Sequence, residues 1–466
     1  MKESGQKRRA SARGGGKSGG MSAGSLPPEA RAEGDLWLAL GLLVYNLVLA
    51  SLFPLMLMWL GWRSLVGRKP IGEWRHRLGL VPRLELGRSP RIWVHAVSAG
   101  EMTAAGPVVK ELRQAFPAAG LAVSTHTSAG MAVARRSGQD ADALFFLPFE
   151  WPDCMGLALW RLRPDLVVVV EKELWPNLLG LARLMGAKVL VVNGRVSDRM
   201  VRRAQGRPGI ARWLYRLPHF ICLQSEQDAA RLKGLGVASE CVVVAGNTKV
   251  DALAERDREA EARLARELGA AAQEPWLVAG STHPGEEVVV VEAFRRIRNA
   301  LPSARLLLAP RHLERVPAAC ATAAAQGFSV ARKSEGKPEG REVVVLDTMG
   351  ELRPAYGLGA AGFVGGTLVP VGGHNLLEPV AAGKAVLFGP HTGNCADVAD
   401  LVLESGVGFR VCGAEELAEE FVRIATDPEL RQQLALRAQA LIEAQQGAAE
   451  RCVAAARALL QEVVDQ

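Results

Sequence analysis

The alternation of apolar and polar positions divides the chain into stretches of different character. Residues 1–35 show no apolar periodicity and are rich in Gly, Ser and Ala, a composition that buries too little surface to fold. From Leu36 to Trp62 the pattern inverts: 27 residues carry no charge and are interrupted only by Asn46, Ser51, Pro54 and small residues. A tilted helix of that length crosses a hydrocarbon core of about 30 Å, so the pattern predicts a membrane span or signal anchor. A cleaved signal peptide has a shorter apolar region; a buried soluble helix and a monotopic hairpin bent at Pro54 are the other readings. Beyond Arg91, β-rich runs alternate with helical stretches, the pattern of a parallel α/β sheet. One series of strands is predicted at 91–97, 121–125, 143–147, 166–170, 188–193, 219–223 and 241–246, and a second at 276–280, 304–310, 343–347, 361–366, 385–389 and 408–411. A charged helical stretch, 251–269, separates the two series, and Ala-rich amphipathic helices close the chain over 413–464. Two doubly wound domains in tandem satisfy this pattern, with a cleft between them and ligands at the carboxyl ends of the strands. The expected division is a tail (1–35), an anchor (36–62), a first Rossmann-like domain (63–250), a linker (251–270), a second such domain (271–445) and a C-terminal helix (446–466).

Charge changes this picture through its placement. The 466 residues include 56 Lys and Arg against 49 Asp and Glu, a net +7 that by itself does not indicate nucleic acid. The tail holds seven basic and four acidic residues, the segment 63–91 eight and two, and the segment 198–217 six arginines and one aspartate. The remainder is therefore acidic. Arg63, Arg68, Lys69, Arg75 and Arg77 follow the apolar run within 15 residues, whereas Arg31 alone precedes it, which predicts cytoplasmic domains after the span. Seven scattered cysteines contain no C-x-x-C pair, and eight histidines contain no H-E-x-x-H, so neither a disulfide framework nor a built-in metal site is expected. Gly357, Gly359 and Gly362 fit G-x-G-x-x-G but lie ahead of a predicted strand, the reverse of a dinucleotide-binding turn, and no cofactor is expected.

Several glycine-rich polar motifs fall just after predicted strands. In HAVSAGEM, Ser98 and Gly100 make a tight turn and Glu101 opens a helix, either as a capping residue or as a general base facing the cleft. Glu171 and Glu173 follow a buried strand and precede Trp175-Pro176-Asn177, with Pro near the first helical position. Asn193 and Arg195 end the next strand with groups suited to an anion. In the second half, GSTHPGEE (280–287), with Ser281, offers backbone N–H groups to an anion but lacks the P-loop lysine. Arg311 and His312 follow another strand, DTMGEL (347–352) a third, and VGGTLVPVGGHNLLEP (364–379) brings Gly373, His374, Asn375 and Glu378. Glu378 sits one turn beyond Asn375, either within a capping box or positioned to accept two ribose hydroxyls.

Taken in order, VHAVSAGE, ELWPN, NGRVS, GSTHPGEE, APRH, DTMGEL and GGTLVPVGGHNLLEP resemble the 3-deoxy-D-manno-oct-2-ulosonic acid (Kdo) transferases that act on lipid A, over about residues 36–445. Thr367 stands where a Ser is usual. The resemblance implies a GT-B fold: two Rossmann-like domains, the first binding the acceptor and the second CMP-Kdo, with an N-terminal anchor. It implies inverting transfer of Kdo to the 6′-hydroxyl of a tetraacyl lipid A precursor (lipid IVA), with Glu101 matching the base. Arg311 and His312 match positions near the donor phosphate, Gly350 and Glu351 the cytidine-side loop, and Asn375 and Glu378 donor contacts; Ser281 and Gly373 belong to the same donor motifs. No obligatory metal is implied.

On the acceptor side, Ser98, Gly100, Glu173, Asn193 and Arg195 are joined by the segment 199–216, whose arginines include Arg199, Arg202, Arg203 and Arg212, interleaved with Ile210, Trp213, Leu214 and Tyr215. That segment is either a solvated basic helix face or a surface that meets lipid phosphates and anionic head groups. The expected partners are CMP-Kdo, the lipid A precursor and the bacterial inner membrane, reached from the cytoplasmic side, and not nucleic acid. A UDP-sugar transferase or epimerase and a catalytically silent membrane scaffold are the competing classes.

Overall fold

The computed structural model describes residues 36–52, 58 and 73–464, apart from 86, 138–139, 255, 272–273 and 337. The predicted tail and most of the anchor beyond residue 52, with Pro54, lie outside the described residues. Within the apolar run, 36–52 is helical. Leu38 and Leu42 join a core with Leu178, Leu179 and Ala182. Leu42 approaches Gly180 so closely that a Cβ there would lie 2.6 Å from it. Asn46, the polar interruption of the run, exchanges two hydrogen bonds of 2.8 Å with the buried Asn177. The other side of the helix, Leu36, Trp37, Leu40, Leu43, Val44, Leu47 and Val48, is exposed. Among the described residues no helix is long and apolar enough to cross a membrane.

The body is built on two parallel sheets. The first comprises β1 (Arg91–His95), β2 (Gly120–Thr125), β3 (Ala143–Phe146), β4 (Leu166–Val170), β5 (Lys188–Gly194), β6 (Phe220–Leu223) and β7 (Val242–Val244), in the order β3-β2-β1-β4-β5-β6-β7. The second comprises β8 (Trp276–Thr282), β9 (Arg305–Pro310), β10 (Val330–Arg332), β11 (Val343–Val345), β12 (Gly359–Val364), β13 (Ala385–Phe388) and β14 (Gly408–Arg410), in the order β10-β11-β9-β8-β12-β13-β14. Helices cover both faces of each sheet, so central strands such as β4 are buried at every position and read as unbroken apolar runs. The edge strand β10 was not expected: its three residues are only half-buried and form no apolar run.

Two features add to the predicted helical linker and C-terminal helix. The charged stretch is two helices, Thr248–Ala254 and Arg258–Glu267. The last helix, Ala448–Val464, returns to the first sheet, where Ala449, Cys452, Val453, Ala456 and Leu460 pack in one core with Val94, Val168 and Val192. The chain therefore crosses between the domains twice, and Asp251 ties the crossings together by accepting the N–H groups of Gly447 (2.8 Å) and Ala449 (2.7 Å). Those amides are among the orphan donors at a helix N-terminus. Asp251→Ala should cost about 1–2 kcal/mol, measured by urea unfolding; unchanged stability would remove Asp251 from this role.

Candidate active site

In the first sheet the chain runs β1-β2-β3 in one direction and then crosses back to β4 and runs in the other. The crevice between the carboxyl ends of β1 and β4 is where a doubly wound sheet receives a ligand. After β1, Ser98 caps the helix Ala99–Ala115 through a reciprocal capping box with Glu101. Glu101 is buried, and its Oε2 accepts the N–H groups of Val97 (2.6 Å) and Ser98 (3.2 Å). Oε1 makes no hydrogen bond among the described residues. Capping and proton transfer are therefore compatible, one oxygen serving each. Burial raises the Glu101 carboxyl above its ordinary range against the pull of the Val97 amide, and the Glu171 charge adds to the rise. Gly100 is exposed, and a Cβ there would meet nothing nearer than Ser98 Oγ at 4.0 Å.

After β4 the backbone is left-handed at Glu171 (φ 64°), whose carboxylate pairs with Lys249 at 2.6 Å. Glu173 follows, pushed up to about 7 by burial and then by the charge of Glu101. The two carboxyls thus titrate as neighbours. Asn193, also left-handed at φ 54°, is fully buried: its Oδ1 accepts the Thr248 N–H at 3.0 Å and its carbonyl accepts from Gln224. Its Oδ1 thereby secures the crossing helix, while its Nδ2 is buried with no hydrogen-bond partner among the described residues. Arg195 reaches across to the carbonyl of Asn394 at 3.2 Å, joining the carboxyl ends of the two sheets over one cleft. The arginine segment is two short helices, Asp198–Gln205 and Pro208–Tyr215, broken where Pro208 starts the second. Arg202, Arg203 and Arg212 are exposed on them, and the side chain of Arg199 lies outside the described residues.

In the second sheet the corresponding crevice lies between β8 and β12. Its organiser is Glu286, wholly buried in the first turn of the helix Glu286–Ala300. Oε2 accepts the N–H groups of His283 (2.9 Å) and Gly366 (2.7 Å), and Oε1 those of Thr367 (3.0 Å) and Leu368 (2.9 Å). The glycine loop after β12 is thereby pinned onto the turn after β8, where Ser281 is held at φ 56°. A Cβ at Gly365 would lie 2.4 Å from the Ser281 carbonyl, so only glycine permits this approach. His283 and His374 meet through their Nε2 atoms at 2.8 Å, and His312 stands edge-on to His283 with centroids 5.8 Å apart. Arg311 is exposed beside them.

Asn375 Oδ1 accepts the Leu377 N–H at 3.2 Å, and its Nδ2 lies 3.4 Å from Glu378, in a helix that begins at Leu377 and not at Asn375. Burial raises the Glu378 carboxyl. Gly373, at φ 84°, packs against Cys395. Gly350 faces Arg136 of the first domain, while the Glu351 carboxylate is already engaged by Lys333 (2.8 Å) and Thr348. Sequence reasoning did not single out Glu286, His283 or Lys249. The signal for Glu286 was an acidic pair opening a helix whose next residues, 288–291, are all valine, a position that buries its charge.

Two Rossmann-like domains whose switch-point crevices meet at one cleft define a GT-B fold. The fold is shared with UDP-GlcNAc 2-epimerase from Neisseria meningitidis bound to UDP-GlcNAc, at a TM-score of 0.57 and 14% identity over 78% of this chain and 98% of that one. The family profile described as 3-deoxy-D-manno-octulosonic-acid transferase (kdotransferase) matches residues 72–252. The 3-deoxy-D-manno-octulosonic acid transferase of Bordetella pertussis is 33% identical over 88% of this chain and 97% of its own length. A bifunctional glycosyltransferase/methyltransferase of Fusobacterium nucleatum is 32% identical over 71% of this chain, which spans about half (51%) of that protein. This chain belongs to the Kdo transferase family.

Glu286→Gln would turn an amide NH2 toward donors that now meet a carboxylate oxygen. It should cost about 1–3 kcal/mol, read as a lowered unfolding midpoint in urea; a variant as stable as the parent would remove Glu286 as the organiser of these loops.

Proposed function

We propose that this chain transfers Kdo from CMP-Kdo to the lipid A precursor lipid IVA, releasing CMP, with inversion at the anomeric carbon and Glu101 as general base, in assembly of the lipopolysaccharide inner core. The observation that carries the reading is the Glu101 Oε1 at the β1–β4 crevice, which makes no hydrogen bond among the described residues. As the acceptor hydroxyl attacks, Glu101 takes its proton, and a carboxyl raised above its ordinary range retains that proton better near neutrality. The electron pair of the breaking bond stays on the CMP phosphate, where Arg311 and His312 stabilise the added charge. Glu378 and Asn375 hold the ribose side, Gly350 and Glu351 line the cytidine side, and Ser281 and Gly373 shape the phosphate turn. Ser98, Gly100, Glu173 and Arg195 border the acceptor.

The proposed location is the cytoplasmic side of the bacterial inner membrane, reached through the N-terminal apolar run. The exposed apolar side of the helix 36–52 supports this, as do the exposed Arg202, Arg203 and Arg212 on the two arginine-bearing helices and Arg207 and Arg216 flanking the second. Each such cation near an anionic surface contributes about 1 kcal/mol.

The test is transfer from CMP-Kdo to lipid IVA by the full chain in vesicles. Glu101→Gln should lower turnover roughly 10²–10⁴-fold with the fold and CMP affinity retained; near-normal turnover overturns the assignment of the base. Separately, CMP should raise the melting temperature where UDP does not. Arg311→Ala and Glu378→Ala should each weaken CMP binding about 10–100-fold; unchanged affinity in both would remove the donor site.

A further inference from the structure

We propose that His283 and His374 act as one proton-accepting unit, which takes up a single proton as the donor phosphate binds and gives it to that phosphate as it departs. This rests on the donor-site reading above.

The geometry is specific. The two Nε2 atoms are 2.8 Å apart, the rings lie within 9° of parallel, and their centroids are 5.1 Å apart. That separation is what two five-membered rings joined head to head by such a bond give, so the hydrogen bond runs along the ring plane. One Nε2 must then donate and the other accept. In the neutral pair the accepting ring carries its hydrogen on Nδ1 and the donating ring has a bare Nδ1. One added proton turns both Nδ1 atoms into donors and spreads a single positive charge over two rings. That converts a mixed donor–acceptor surface into a receptor for an anion.

The pair is held in place. The His283 amide is bonded to Glu286, and the same carboxylate holds Gly366, whose carbonyl accepts the N–H groups of Gly372 (3.1 Å) and Gly373 (2.7 Å) just before His374. The titratable and charged groups around the pair are Glu286 and Glu287 from the helix Glu286–Ala300, Arg311 and His312 from the loop after β9, and His391 and Cys395 from the segment after β13. Burial lowers His283, and it pushes His374 down to about 4 with help from Arg311 and from the neighbouring imidazoles. In the protein alone the pair is therefore neutral at neutral pH. A phosphate beside Arg311 offsets the guanidinium charge and favours the imidazolium. During transfer the anomeric C–O bond breaks and its electron pair remains on the phosphate oxygen. The shared proton moves to that oxygen, while the acceptor hydroxyl proton goes to Glu101. The neutral pair is restored when protonated CMP leaves.

The test is calorimetry of CMP binding to the full chain at about pH 7.5, in buffers of different ionisation enthalpy, which counts protons exchanged. The expected result is net proton uptake as CMP binds, larger as the pH is lowered from 7.5. His374→Gln and His283→Asn, shown folded by their melting curves, should still bind CMP, with uptake reduced toward zero. CMP binding without proton uptake in the parent, or uptake unchanged in both variants, overturns this inference and leaves the donor site standing. No binding of CMP overturns both.

Discussion

The architecture of the β8–β12 crevice depends on one buried carboxylate and the four backbone amides that surround it. An ionised side chain removed from water costs several kcal/mol unless its lone pairs are satisfied, and Glu286 meets that requirement with N–H groups from both sides of the β8–β12 crevice. Because the amides belong to two loops far apart in sequence, satisfying the charge and positioning the loops are the same event. Thr367 extends the arrangement to a third strand: its hydroxyl donates to the Val364 carbonyl at 2.6 Å and accepts the Gly389 amide at 2.8 Å. A serine would supply the same hydroxyl, so the exchange of Ser for Thr keeps the bridge.

Glu101 shows the same device half used. It opens a helix after the first strand of its sheet, as Glu286 does, and it accepts two amides where Glu286 accepts four. With four amides both oxygens of Glu286 are saturated, whereas Glu101 keeps one oxygen without a hydrogen bond among the described residues. Backbone conformations that side-chain-bearing residues rarely adopt gather at the same edges: Glu171, Asn193 and Ser281 are left-handed at the carboxyl ends of β4, β5 and β8. Such strain persists only where the surroundings over-determine it, and here it turns the chain sharply away from the sheet at the cleft.

The two-sheet plan was legible because buried parallel strands write themselves as unbroken β-branched runs, LVVVV of β4 being the plainest. The polar groups after those runs were legible for the same reason, since a doubly wound sheet assigns strand ends to the cleft. Three things were not. Strand β10 reads Val-Ala-Arg, with no apolar run to mark it. The last helix is amphipathic like any other, and nothing in its own residues says which of two sheets its apolar side will meet. Asn193 and Glu286 take holding roles that their own positions do not mark, because a polar residue after a strand reads alike whether it faces the cleft or holds a neighbouring loop. Only the partners decide: Thr248 for one, the glycine loop for the other.

The return of the helix Ala448–Val464 to the first sheet bears on how the protein is made. On the ribosome, the second sheet and its helices emerge as one uninterrupted length and can close their core as soon as they are out. One face of the first sheet, though synthesised earlier, lacks the cover that Cys452, Val453, Ala456 and Leu460 provide until the final 17-residue helix is released. Domains ordinarily complete in the order of synthesis; here the first sheet waits for a later helix, and the part of its apolar face not covered by the helix Ala99–Ala115 is the surface a chaperone would have to shield in the interval.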